Sequence, residues 1–196
     1  MNTRTDRQLQ IIDTAAQIIT EKGVNALTTK YLSSRIGFSE SALYRHFSSK
    51  ESIIVSMLQH LAEIMEERFS QVQYSDEDPS NNLREFFSDQ FKFFTEHKQY
   101  VVAVFSDDIF QKSEAVKEAI DQVMETKRKS LLPIITTGKQ KMVFTNEVSS
   151  QDLMNIIMGA IRLQMYKWKN SGFEYDITIR GNHTVEALIQ LITIKK

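Results

Sequence analysis

Residues 26–53 read ALTTKYLSSRIGFSESALYRHFSSKESI, and this stretch decides the fold. Leu32 and Ile36 stand four apart in Thr28–Ile36, and Leu43 and Phe47 stand four apart in Ser39–Phe47, so each segment carries one apolar stripe at helical spacing. Gly37 lies between them, where a tight turn needs a residue tolerant of positive φ. Ser39 then offers a hydroxyl to the free amides of the next helix. Two short helices joined in this way have the grammar of a helix-turn-helix. Ser48 and Glu51 have the spacing of a capping box, which predicts a long fourth helix from Ser49 to about Val72, past Met57, Leu61, Ile64 and Met65.

Working outward, Ile11, Ala15, Ile18 and Ile19 form the stripe of a first helix that should stop at Lys22-Gly23, with the glycine left-handed. The acidic YSDEDPSNN, residues 74–82, breaks the periodicity and marks the internal boundary. Beyond it the spacing predicts helices near 80–96, 98–111, 114–137, 149–170 and 177–194, with Pro133 expected to kink or shorten the third of these. With two prolines, six glycines and no convincing strand, the expectation is an all-α chain of about nine helices. Residues 1–50, with the start of a connecting helix over 49–73, would form one module, and residues 51–196 a second.

Composition excludes several functions. A chain of 196 residues with 41% hydrophobic content can bury a core, and no apolar run reaches the ~20 residues of a bilayer-spanning helix. The polar MNTRTDRQLQIID is unlike a signal peptide, so a cytoplasmic protein without a membrane partner is expected. There is no cysteine, and the four histidines are not spaced as ligands, so neither metal nor cofactor is expected. No phosphate loop, nucleophile motif or clustered His/acid pair suggests an enzyme. The net charge is −1, yet the first fifty residues hold seven Lys or Arg against four Asp or Glu, which suits a nucleic-acid surface at that end.

With Leu43 and Phe47 facing the core, a 100° step per residue turns Ser41, Ala42, Tyr44 and Arg45 outward, with Glu40 and His46 at the flanks. Small residues at the start of such a helix let it approach base edges, and the later Tyr, Arg and His can reach phosphates or bases.

The segment, and LYRHFSSKE above all, resembles the DNA-binding domain of the tetracycline-repressor (TetR) family of bacterial transcriptional regulators over roughly residues 8–60. The resemblance implies that Thr28–Arg35 is the supporting helix and Ser39–His46 the recognition helix. It implies phosphate contacts from Thr29, Lys30, His46 and Lys50, and base contacts from Glu40, Ser41 and Tyr44. Thr28, Ser39, Ala42 and Arg45 complete the candidate DNA-binding set. Two departures stand out. Ala42 replaces a common Thr, leaving only its backbone N–H, and the acidic Glu40 would repel phosphate but could accept from a cytosine amino group.

By the same resemblance the body is a ligand-binding and dimerisation domain ending in two long helices. Candidate effector residues are Phe91, Phe94, Phe105, Phe110, Met124, Met158, Arg162 and Tyr166, although aromatic and Met stripes mostly fill cores. Arg162 could meet an anionic ligand group or pair with an acid such as Asp108. The last two helices are apolar on more than one face, and Leu153, Ile157, Ile161, Leu188 and Ile192 are the expected dimer contacts. The resulting expectation is a homodimeric regulator, usually a repressor, that binds a palindromic operator and is released by a small, mainly apolar effector. The alternative is a similar DNA-binding protein controlled by a protein partner or by no effector.

Overall fold

The computed structural model describes residues 4–72, 74–75, 77–105 and 113–194, and contains nine α-helices among them. Helix α1 spans Asp6–Lys22, opened by a capping box in which Thr5 and Gln8 each accept from the other's backbone amide. It ends at Gly23 with φ 78° and ψ 169°, which is a positive-φ stop but not the left-handed helical geometry expected. A 3-10 turn, Val24–Ala26, follows. Helix α2, Thr29–Ile36, is capped by the Thr28 hydroxyl and closed by Gly37 at φ 80° and ψ 30°, the left-handed conformation the turn requires.

Helix α3, Glu40–Tyr44, is capped by Ser39 and is shorter than expected, because Arg45 already closes it and His46–Phe47 turn back through amide bonds to the Leu43 carbonyl. Helix α4, Lys50–Gln71, has its capping box one residue later than the sequence suggested. Ser49 and Ser52 exchange backbone-to-hydroxyl bonds of 3.1 Å each way. Glu51 instead accepts the Ser113 hydroxyl at 2.7 Å.

Helix α5, Pro79–Glu96, has Asp78 as its cap and proline in its first turn, where the missing N–H costs nothing. Helix α6 spans Lys98–Val104; the rest of the helix expected over 98–111, with Asp108 and Phe110, lies outside the described residues. Helix α7, Glu114–Gln140, runs through Pro133, so the proline does not shorten it. Helices α8, Ser150–Asn170, and α9, Ile177–Ile192, complete the chain, capped by Ser149 and Asp176. Among the described residues no helix is long and apolar enough to cross a membrane.

The chain divides into two compact units that are not contiguous in sequence. The first comprises Met1–Ile64 and Lys98–Val123; in it α1 packs on α2, the 3-10 turn and α6, burying Ile11, Ile12, Ile18, Leu32 and Leu43. The Arg4 guanidinium ties the start of α1 to Ser56 and Glu63 of α4.

The second unit comprises Met65–His97 and Met124–Lys196, with α9 packed on α5 and α8. Phe86 stacks on Phe69 at 4.8 Å and meets Phe87 edge-on at 5.0 Å. Trp168 is buried at the end of α8, donates its indole N–H to the Tyr175 carbonyl at 2.8 Å and meets Phe173 edge-on at 4.7 Å. Arg84 forms a bidentate pair with Glu186 at 2.6 and 3.0 Å, and both side chains are well exposed, so the pair adds at most ~1 kcal/mol.

Candidate nucleic-acid interface

The turn at Gly37 presents α3 with Leu43 buried beneath it and Ser41, Tyr44 and Arg45 exposed. Tyr44 is 49% exposed on a helix of five residues, where it packs into no core. Thr28 and Ser39 spend their side chains on caps, accepting from Tyr31 N at 3.1 Å and Ala42 N at 3.2 Å. The Ser39 cap also consumes the Ala42 amide, the one group by which Ala42 was expected to serve. Ala42 itself is half-buried, not outward. Ser41 Oγ lies 3.0 Å from Ser39 Oγ, and His46 is half-buried beyond the end of α3.

Glu40, at the head of α3, accepts a hydrogen bond from the Thr29 hydroxyl of α2 at 3.1 Å. The Tyr44 hydroxyl lies 3.4 Å from the same Thr29 oxygen. The two helices are thus tied by side chains that all belong to the candidate reading face.

The basic residues divide into committed and uncommitted groups. Arg35 makes a bidentate pair with Glu21 at 2.8 and 3.2 Å, and the guanidinium holds that carboxyl below the usual range. Lys22 lies 4.8 Å over the Tyr31 ring, and Arg7 lies 5.4 Å over Phe38. Arg4 is held by Glu63. The Lys50 ammonium donates to the Val24 carbonyl at 2.7 Å, a tether across the 3-10 turn that sequence reading missed because its partner is a backbone atom twenty-six residues away. Lys30 and Arg45 are exposed, and among the described residues they make no side-chain hydrogen bond or ion pair. Lys30 stands in the first turn of α2, and Arg45 closes α3.

The residues proposed for an effector are distributed differently. Phe105 belongs to the first unit, whereas Phe91, Phe94, Met124, Met158, Arg162 and Tyr166 belong to the second. Phe91 and Phe94 are buried, Met124 and Met158 half-buried, and Arg162 and Tyr166 exposed. Sequence reading passed over Lys127, one turn beyond Met124. Its ammonium lies 5.1 Å over the Phe94 ring, and burial, then the neighbouring Arg162 charge, push it down to about 8. The guanidinium of Arg162, although the residue is exposed overall, is pushed down by partial desolvation. Among the described residues no group of three His, Asp or Glu side chains is placed to hold a metal ion.

Leu153, Ile157, Ile161, Leu188 and Ile192, expected at a dimer contact, are all buried within the chain's own core. The apolar residues that α8 and α9 leave exposed are others: Ile156 at 55%, Leu163 at 51%, Tyr166, Ile179 at 58% and Leu191 at 80%.

Comparison with known proteins covers both halves. Residues 11–57 match the family model of bacterial regulatory proteins, tetR family, and residues 57–191 match that of the YsiA-like protein C-terminal region. YerO of Bacillus subtilis (strain 168), an uncharacterized HTH-type transcriptional regulator, is 25% identical over 167 residues, 82% of this chain and 57% of that relative's length. The chain therefore spans little more than half of YerO. Nucleoid occlusion factor SlmA of Vibrio cholerae is 23% identical over 176 residues, 89% of each chain. In fold, the chain is similar to FadR of Bacillus subtilis in complex with stearoyl-CoA, with a TM-score of 0.76, 21% identity and coverage of 94% and 98%. It is also similar to a TetR transcription regulator from Haloarcula marismortui, with a TM-score of 0.81, 17% identity and coverage of 96% and 99%.

Proposed function

The chain belongs to the tetR family of bacterial regulatory proteins, and from that premise we propose that it is a cytoplasmic repressor that binds a palindromic operator as a homodimer and is released by a small effector. The family is one of transcriptional regulators, not enzymes. DNA binding is assigned to residues 1–50 with the start of α4, and regulation to residues 51–196. The observation that carries the reading is the exposed face of α3, set by Gly37 and flanked by Lys30 and Arg45. Fluorescence anisotropy on duplexes enriched from a random library tests it. A two-fold symmetric site with half-sites about one helical turn or more apart is expected, and a wild type that enriches no sequence overturns the reading.

The dimer surface is assigned to the exposed stripe of α8 and α9 in place of the buried one. Ile156, Gly159, Leu163 and Tyr166 follow one another at spacings of three and four, and Ile179, His183, Ala187 and Leu191 line α9 at spacings of four. Two such stripes from each of two copies make a four-helix contact.

The effector is assigned to the second unit, around Phe94, Met124, Lys127 and Met158. It is mainly apolar, and Lys127 beside Arg162 allows it one anionic group. The fold neighbour solved with stearoyl-CoA, a long acyl chain on a polyanionic CoA group, supports the apolar part of that assignment. Thermal-shift screening of amphiphiles, followed by titration of hits into the protein–operator complex, tests this part. Hits that stabilise the protein without changing operator affinity overturn it, because effector and operator must weaken each other by the same factor, typically ~5 to 150-fold. A second reading is control by a protein partner or by no effector; the nearly full-length likeness to a nucleoid occlusion factor, a name that carries no small-molecule ligand, supports it. It predicts that no small amphiphile alters operator binding.

A further inference from the structure

Tyr44, Thr29 and Glu40 form a chain of hydrogen bonds whose direction is fixed by chemistry. A carboxylate can only accept, so the 3.1 Å bond between Thr29 and Glu40 Oε2 takes the single proton of the Thr29 hydroxyl. Thr29 then has only lone pairs for Tyr44, whose hydroxyl donates across 3.4 Å. Both protons run inward, from Tyr44 to Thr29 to Glu40. Among the described residues, what remains unpaired on this exposed pair is acceptors: Glu40 Oε1 and the lone pairs of the Tyr44 oxygen.

We infer that Thr29 is a positioning residue for base readout, not a phosphate contact, and that the acceptor pair Glu40 and Tyr44 selects base pairs presenting an amino group in the major groove, cytosine above all. The inference rests on the reading that α3 enters that groove. Phosphate oxygens only accept, and the one side-chain proton Thr29 could offer them is committed to Glu40, whose negative charge also repels phosphate. In the major groove cytosine offers an amino group with no adjacent acceptor. Adenine offers one beside the N7 lone pair, guanine presents acceptors alone, and thymine presents an acceptor and a methyl group. The neighbouring Lys30, exposed and unpaired among the described residues, is left to the backbone.

Selection of duplexes from a random library by the full chain, with salt titrations on the enriched and on an unrelated duplex, tests this. The wild type should fix cytosine at one position of each half-site. Thr29→Val keeps the shape and removes the hydroxyl, and should cut discrimination at that position roughly tenfold while leaving the salt slope unchanged. Thr29→Ser should restore discrimination, and Tyr44→Phe should lower it at the same position. Glu40→Gln, whose amide donates as well as accepts, should move the preference toward adenine. Circular dichroism and unfolding midpoints separate these effects from misfolding, and if Thr29→Val does not fold, Thr29→Ser and Tyr44→Phe decide. Uniform weakening of all duplexes by Thr29→Val, or guanine at the position read, overturns the inference and leaves the regulator intact. A wild type that enriches no sequence removes both.

Discussion

Gly181 in α9 lies so close to Phe91 in α5 that a Cβ on the glycine would fall 2.5 Å from Cε2 and Cζ of the ring. The aromatic ring is a wedge set against bare helix backbone, and the glycine is kept for its missing side chain. Gly181→Ala gains about 1 kcal/mol of helix propensity but must displace a buried ring in a close-packed core, which costs ~1–3 kcal/mol. Urea unfolding should show a net loss. Gly159 on α8 is the opposite case, since a Cβ added there would meet nothing within 4 Å. As alanine it should gain up to ~1 kcal/mol in a monomeric protomer. A loss there would indicate a second copy packed against it.

Charge placed on the exposed stripe should separate subunits without unfolding them. Leu191→Glu and Ile156→Glu are expected to give monomers by light scattering, with unchanged helix content and weakened operator binding. The same change at Leu188 or Ile192, which are buried, should instead cost several kcal/mol of protomer stability. Dimers that survive both exposed substitutions would show that the contact lies elsewhere.

Lys50 tethers the Val24 carbonyl, and we propose that it also meets a DNA phosphate. Lys50→Ala should lower the salt slope of DNA binding by about one unit and weaken all duplexes alike. Loss of the bond to the Val24 carbonyl should also cost roughly 1–2 kcal/mol of stability. An unchanged slope with reduced stability would leave Lys50 as a tether alone.

Lys127 gives a pH signature. Its ammonium is pushed down to about 8 from an ordinary 10.5, so below 8 both folded and unfolded chains hold the proton and its burial cost is fully present. Between the two values the unfolded chain holds more protons, and stability rises with pH. Lys127→Met should be more stable than wild type at neutral pH, and the difference should shrink as pH climbs toward 10.5. Comparison with the variant removes the opposing contribution of Tyr74 and Tyr100, each pushed up to about 12 by burial. A difference independent of pH would show that Lys127 is well solvated.

The helix-turn-helix was legible because its determinants are local: Gly37, the hydroxyls of Thr28 and Ser39, and apolar pairs four residues apart. The capping box was displaced by one residue because Ser48/Glu51 and Ser49/Ser52 have the same spacing, and only the tertiary bond from Ser113 to Glu51 decides between them. Periodicity showed that α8 and α9 are apolar on two faces but could not say which face meets the chain's own core, so Leu188, expected at a dimer contact, proved buried in that core while Leu191 is exposed. Lys127 stands among Glu125, Arg128 and Lys129, a run that reads as a solvated surface. Its place over Phe94 depends on packing between distant segments.

Trp168 is the chain's single tryptophan, and it sits buried at the corner where α8 turns toward α9, with its indole N–H fixed on Tyr175. All tryptophan emission from this protein therefore comes from one known place. Its wavelength will report the polarity around that corner, and its polarisation the tumbling of whatever assembly carries it. Effector uptake or subunit exchange that disturbs the corner can be followed on the unlabelled native chain, with each spectral change assigned in advance to a single side chain.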